Sequence, residues 1–150
     1  TPGKTREINF FRINEKLMFA DLPGYGFARI TPALQKKWKQ MIEEYLINRE
    51  PLIAIVFIVD IRRKPTELDI TLKEWLEDLD RNYILVITKS DKLSGVERSK
   101  QTKIIKSAFM GANALAAVTY SSKNHLGRKE LWSQLQKLAS GKGDQTETPV

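Results

Sequence analysis

Cysteine is absent from the 150 residues, which excludes disulfides and thiolate metal sites and suits a reducing cytoplasm. Long apolar runs are lacking too. The longest, residues 52–59, is far too short to span a bilayer, and the opening residues do not read as a signal peptide, so no membrane contact is expected. Acidic side chains are scarce, 18 against 25 Lys and Arg, for a net charge of +7. Such an excess favours a polyanionic partner and equally suits plain solubility. Repeats and a second domain are missing, and 41% hydrophobic with 29% charged residues describes one soluble globular domain. The only histidine, His125, sits in a loop and reads as solvated rather than catalytic.

Periodicity supplies the element order. Residues 8–13 alternate as a strand and residues 17–21 as a second one, after a turn at Asn14-Glu15. Pro23, Gly24 and Gly26 make a loop, and Thr31-Pro32 is a helix start, with Leu34, Trp38, Met41, Ile42 and Tyr45 at helical spacing. Residues 52–59 are expected to form a strand buried on both faces, as in a parallel sheet. A helix opened by Pro65-Thr66 follows, with Leu68, Leu72, Trp75, Leu76 and Leu79 on its apolar face. Residues 83–88 form another buried strand, residues 97–109 a helix, residues 115–119 a strand and residues 128–138 a helix. The three tryptophans fall on amphipathic faces and read as core. Alternating strands and helices make an α/β domain with a mainly parallel sheet, whose functional loops lie at the carboxyl ends of its strands.

Three short motifs stand at such ends. Asp21-Leu22-Pro23-Gly24 pairs a carboxylate able to hold magnesium through water with a glycine whose N–H can approach a terminal phosphate, although the same residues also make an ordinary turn. In Thr88-Lys89-Ser90-Asp91, the Asp91 carboxylate can accept from the N1–H and exocyclic amine of guanine. Adenine lacks that donor pair, so it would leave a charge unpaired. The Lys89 stem can lie along the base. In Tyr120-Ser121-Ser122-Lys123 a backbone N–H, that of Ser122, would donate to the guanine O6. Each motif alone is weak or moderate; their order, each behind its own strand, is specific.

This order resembles the Ras-like, translation-factor-related GTPases, and Thr1-Pro2-Gly3-Lys4-Thr5, Asn9-Phe10-Phe11 and residues 21–28 resemble the EngB family of bacterial ribosome-assembly GTPases in particular. Trp38, Tyr45, Asp60-Ile61-Arg62 and residues 88–93 extend the likeness over nearly the whole chain. The resemblance implies a three-layer Ras-like fold with one antiparallel hairpin strand, and a nucleotide bordered by Gly3, Lys4, Thr5, Arg6 and Glu7. It implies that Thr5 and, through water, Asp21 hold Mg2+. The loop from Tyr25 to Pro32 would be a switch. Tyr25 stands where many relatives carry a water-orienting glutamine, so no catalytic side chain is assigned and turnover should be slow.

One expected part is not found. A GTPase of this kind needs G-x-x-x-x-G-K-[ST] on a strand–loop–helix unit, and Gly3-Lys4-Thr5 only mimics its end, because a strand rather than a helix follows. Residues 1–139 are therefore expected to be a G domain lacking its first strand, phosphate loop and first helix, and residues 140–150 a disordered tail. The missing strand would lie beside residues 52–59, so the folded molecule is expected to contain it or to fill the gap with another segment. As it stands the chain should bind nucleotide poorly and hydrolyse nothing. For the intact protein the resemblance implies a cytoplasmic monomer that binds GTP and GDP, hydrolyses GTP, acts on the large ribosomal subunit and its RNA, and supports cell division and septation. Lys36, Lys37 and Lys39, or Arg62, Arg63 and Lys64, could touch that RNA. The alternative is a nucleotide-independent RNA- or protein-binding fragment or degenerate homologue.

Overall fold

A stretch with no polar break, residues 83–87, becomes the spine of the molecule. The computed structural model describes residues 8–15, 17–22, 24 and 32–141, with backbone only for residues 32–35, 38 and 39. The chain divides into two compact units, Thr1–Leu52 and Ile53–Val150.

In the first unit, β1 (Asn9–Ile13) and β2 (Leu17–Asp21) pair antiparallel, with Phe11 opposite Phe19 and Asn9 opposite Asp21. The chain reverses through Asn14 and Glu15, both at positive φ. Helix α1 (Pro32–Asn48) opens with proline, whose missing N–H is no loss in a first turn. Leu46 is buried, Tyr45 lies against the Phe10 ring at 6.2 Å, and the Arg49 guanidinium sits over both rings.

In the second unit, β3 (Ile55–Asp60), β4 (Tyr83–Thr88) and β5 (Ala114–Thr119) form a parallel sheet in the order β3-β4-β5. Tyr83, Ile84, Leu85 and Ile87 of β4 are 0% exposed, each side chain contributing about 1.5–3 kcal/mol by its burial. The pleat sends alternate residues to opposite faces. On one face Phe57 meets the rings of Tyr83 and Phe109 edge-on, at 6.1 and 5.3 Å, which seats helix α3 (Gly95–Phe109) there. Glu77 of α2 (Glu67–Asp78) reaches the Tyr83 hydroxyl on the same side. On the other face Ile84, Val86 and Val118 pack under Leu131, Leu135 and Leu138 of α4 (Arg128–Ala139). Helices α2 and α3 each begin with a reciprocal cap: Thr66 with Asp69, and Ser94 with Glu97.

Three expectations need correcting. Strand β3 starts at Ile55, because pairing with β4 begins there, opposite Tyr83. It is also covered on one face only. Val56 and Ile58 are 37% and 57% exposed, since α4 packs over β4 and β5 rather than over them. Among the described residues no strand pairs with the outer edge of β3. Leu68 is 51% exposed and lies off the buried face of α2. Trp75 and Trp132 are half-buried, in keeping with core-facing positions, while the side chain of Trp38 and residues 142–150 lie outside the described residues.

One buried hydroxyl ties α2, β4 and α3 together. Tyr83 Oη donates to the Phe109 carbonyl at 2.7 Å, lies 2.8 Å from Glu77 Oε1, and accepts from the Gly111 N–H at 3.2 Å. Burial and the neighbouring Glu77 carboxylate both raise its pKa, so the group stays a phenol. Tyr83→Phe should lower unfolding free energy by about 1–3 kcal/mol, the effect of orphaning a buried carbonyl and N–H. Urea denaturation measures this, and a variant as stable as the parent would refute the role given to the hydroxyl.

Candidate functional site: a base-binding loop pair

Parallel pairing brings the carboxyl ends of β3, β4 and β5 to one rim, with Asp60 opposite Thr88 and Ile87 opposite Thr119. The Thr88 hydroxyl donates to the Val59 carbonyl at 2.8 Å, which closes that corner. Beyond it Lys89 adopts a left-handed backbone, φ 60° and ψ 31°, and a single 3₁₀ turn, Ser90–Lys92, follows. The loops after β4 and β5 are stitched together by backbone. Tyr120 N–H donates to the Ile87 carbonyl at 2.7 Å and Ser90 N–H to the Tyr120 carbonyl at 3.2 Å.

Asp91 faces the second loop. Its Oδ1 accepts from the fully buried Ser121 hydroxyl at 2.7 Å, and its side chain is 12% exposed. Lys92 Nζ lies 3.9 Å from Oδ2, too far for a hydrogen bond, so that oxygen is not tied up inside the protein. The Ser121 hydrogen bond holds the Asp91 pKa below the usual carboxylate range, which keeps the group a pure acceptor. Ser121 Oγ itself accepts from the N–H groups of Lys123 and Asn124, and Ser121 N–H donates to the Leu126 carbonyl. The Ser122 N–H, between them, has no partner among the described residues. The rim thus offers a carboxylate held in place through Oδ1 with Oδ2 unengaged, and one N–H free among the described residues, the complement of a flat ring bearing a donor pair and a carbonyl.

Glycine is required where this loop returns to α4. Gly127 has φ 74°, and a Cβ there would strike the Thr119 carbonyl. His125, also at positive φ, is exposed and takes no part in the loop-to-loop contacts.

Asp60 is a participant to which residue reasoning assigned no role. Arg62 grips it through Nε at 3.0 Å and Nη2 at 2.7 Å, while Lys89 Nζ lies 2.8 Å from Oδ2. The side chain of Asp60 is 13% exposed, and these cations, Arg62 foremost, hold its pKa well below the usual range. A visible signal existed, namely an acid ending a buried strand just before Arg62-Arg63. Nothing local shows that Lys89, 29 residues on, is its second partner.

Of the residues expected at the phosphates, Asp21 ends β2 and is exposed, as is Gly24; Leu22 is half-buried. Gly3, Lys4, Thr5, Arg6, Glu7, Pro23 and Tyr25 lie outside the described residues. No group of three acidic, His or Cys side chains capable of caging a metal occurs among the described residues. A lone exposed carboxylate nevertheless fits Mg2+, which draws most of its ligands from phosphate oxygens and water.

Comparison with known proteins agrees with this geometry. Residues 1–89 match the family of 50S ribosome-binding GTPases. The protein named Probable GTP-binding protein EngB in Syntrophus aciditrophicus (strain SB) is 44% identical over 137 residues, which is 91% of this chain and 69% of that protein. The chain belongs to the EngB family of GTP-binding proteins. Its likeness to the protein of the same name in Geobacter metallireducens is 43% over 149 residues, covering 99% of this chain and 72% of the relative. Among solved structures, a probable GTP-binding protein engB superposes with a TM-score of 0.73 at 19% identity, covering 91% of this chain and 85% of the other. Elongation factor SelB from Methanococcus maripaludis, in complex with a GTP analogue, gives 0.64 at 20%, with 91% and 28% covered. The fold is the Ras-like GTPase fold.

The Asp60 cluster of this EngB-family chain has a pH signature. Because the carboxyl is more acidic folded than unfolded, its contribution is fully present above the unfolded value of 3.8 and is lost progressively as pH falls from there toward the much lower folded value. Asp60→Asn should cost about 1–2 kcal/mol at pH 7, the cations being half-exposed. It should also flatten the decline in stability on acidification below about pH 5. Unfolding curves at several pH values that superpose for both proteins would contradict this.

Proposed function

We propose that the chain is the base-binding part of a protein that binds GTP and GDP, hydrolyses GTP to GDP and phosphate, and acts in assembly of the large ribosomal subunit, with consequences for cell division and septation. The observation that carries the nucleotide part is the Asp91–Ser121 pair beside the free Ser122 N–H. The Asp91 carboxylate accepts from guanine N1–H and the exocyclic amine, Ser122 N–H donates to O6, and the Lys89 stem lies along the ring while Asp60 anchors its ammonium. Adenine would place an amine against the Ser122 N–H and leave Asp91 unpaired, a mismatch of several kcal/mol. The ribosomal part is supported by the family description and by the net charge of +7.

Asp21, through water, and Thr5 are the residues that would hold Mg2+, which when bound neutralises charge on the β- and γ-phosphates. The Gly24 N–H supplies a backbone donor at the γ-phosphate, with no side chain to keep the phosphate away. Tyr25 cannot orient an attacking water as an amide does, so turnover is slow unless an outside group or a bound cation completes the site. The protein acts in the cytoplasm as a monomer. No helix among the described residues is long and apolar enough to cross a membrane.

Base choice is testable even where phosphate contacts are weak. In 15N-labelled protein, millimolar GDP should shift the amide resonances of Asp91, Ser121 and Ser122, and ADP should not. Asp91→Asn should remove about 2–4 kcal/mol of binding, which abolishes those shifts. Equal shifts with ADP, or a GDP response that survives the substitution, would overturn the guanine assignment.

A further inference from the structure

Charge is unevenly distributed along the second unit. Between residues 53 and 91 there are eight acids and six Lys or Arg; between residues 92 and 141 there are nine Lys or Arg and only two acids, Glu97 and Glu130. The basic half comprises α3, β5 and α4. Among the described residues strand β5 ends the sheet, with α3 against one face and α4 against the other, so both helices flank the same edge.

Within this half, α3 carries the most ordered array. Ile105 and Phe109 turn inward and are buried, while Lys100, Lys103 and Lys106 are all exposed. At about 1.5 Å per residue the three ammonium stems are spread over about 9 Å of helix. None of the three forms an ion pair among the described residues. The helix's one acid, Glu97, cannot neutralise them, because both Ser94 N–H and Ser94 Oγ hold its Oε2 in the cap, at 3.1 and 2.7 Å. By contrast Arg62, in one of the basic patches suggested by sequence, is committed to Asp60.

We infer that the outward face of α3, centred on Lys100, Lys103 and Lys106, is a docking surface for the phosphodiester backbone of double-helical RNA. The chemistry selects this partner. Protein interfaces are depleted in lysine and built on aromatic anchors, and the exposed face of α3 has no aromatic residue. A membrane-surface helix needs a continuous free apolar face; Ile105 and Phe109 are spent on the sheet, and the exposed Val96 and Ile104 are separated by Lys100. Single-stranded RNA needs stacking platforms, which the helix also lacks. What is left is a row of unpaired point charges, suited to phosphates at fixed spacing and indifferent to base sequence. Only the choice of RNA over DNA rests on the ribosome-directed function proposed above.

The test is fluorescence anisotropy of a labelled RNA hairpin with a duplex stem, titrated with the 150-residue protein at several salt concentrations. Lys100→Glu/Lys103→Glu/Lys106→Glu should weaken binding at least tenfold at low salt and reduce the slope of log affinity against log salt by about 2–3. Lys36→Glu/Lys37→Glu should change both far less. Should the triple reversal fail to fold, judged by its melting curve, the three Lys→Gln changes made singly should each lower the slope by about 0.5–1. Several results would overturn the inference: no hairpin binding, equal losses from both variants, equal binding of a DNA hairpin, or α3-dependent capture by phosphatidylserine vesicles in place of RNA. Because GDP-induced shifts at Asp91 and Ser122 are read without RNA, failure here leaves the guanine assignment standing or falling separately.

Discussion

The 2.7 Å contact between Asp91 and the Ser121 hydroxyl joins two loops that leave different strands, and the site rests on it. A carboxylate on a surface turn is usually free to rotate and exchange partners with water. Here one oxygen is fixed by a buried donor, which also keeps the group ionised, while the other keeps its lone pairs. Ser121 is committed in turn to its own loop, accepting from the Lys123 and Asn124 N–H groups and donating its N–H to the Leu126 carbonyl, so the contact is rigid from both sides. A fixed acceptor a short distance from a fixed donor can discriminate among bases, whereas a mobile one would only attract cations.

That rigidity is transmitted from the core. Strand β4 is buried from Tyr83 to Ile87, and its last residues are fastened to both neighbours: Thr88 to Val59, and Ile87 to Tyr120. The left-handed Lys89 therefore starts from a fixed point, and its ammonium is anchored to Asp60 at the end of a third strand. Three strand ends thus share the load of orienting one loop. The partly bare face of β3 lies away from this arrangement, on the side where α4 does not reach.

Charge separates along the same architecture. The acids of α2 are partly employed in structure, Glu77 holding Tyr83 and Asn113 and Asp69 capping the helix, whereas the lysines of α3 have no such employment. The rim proposed to bind the base and the lysine row lie on neighbouring segments of one unit. In the proposed reading a nucleotide and a polyanion meet the protein through different chemistry, directed hydrogen bonds in one case and diffuse charge in the other.

Local chemistry was sufficient to determine much of this. Apolar runs announced β4 to the residue, Pro32 announced α1, and the order Asp21, Asp91, Ser121 behind successive strands announced a nucleotide-binding α/β domain. The start of α3 at Gly95, two residues before the expected Glu97, was legible in Ser94-x-x-Glu97, a cap that needs only four consecutive residues. Partners distant in sequence were not legible. Strand β3 begins at Ile55 because Tyr83 lies opposite, and an apolar run cannot announce where its neighbour starts. Asp60 meets Lys89, Asp91 meets Ser121, and α4 leaves Val56 and Ile58 bare, only once the sheet has set its strands side by side. Periodicity and capping act within a turn or two of chain, whereas coverage of a face and pairing of a charge depend on distances that only the packed sheet defines.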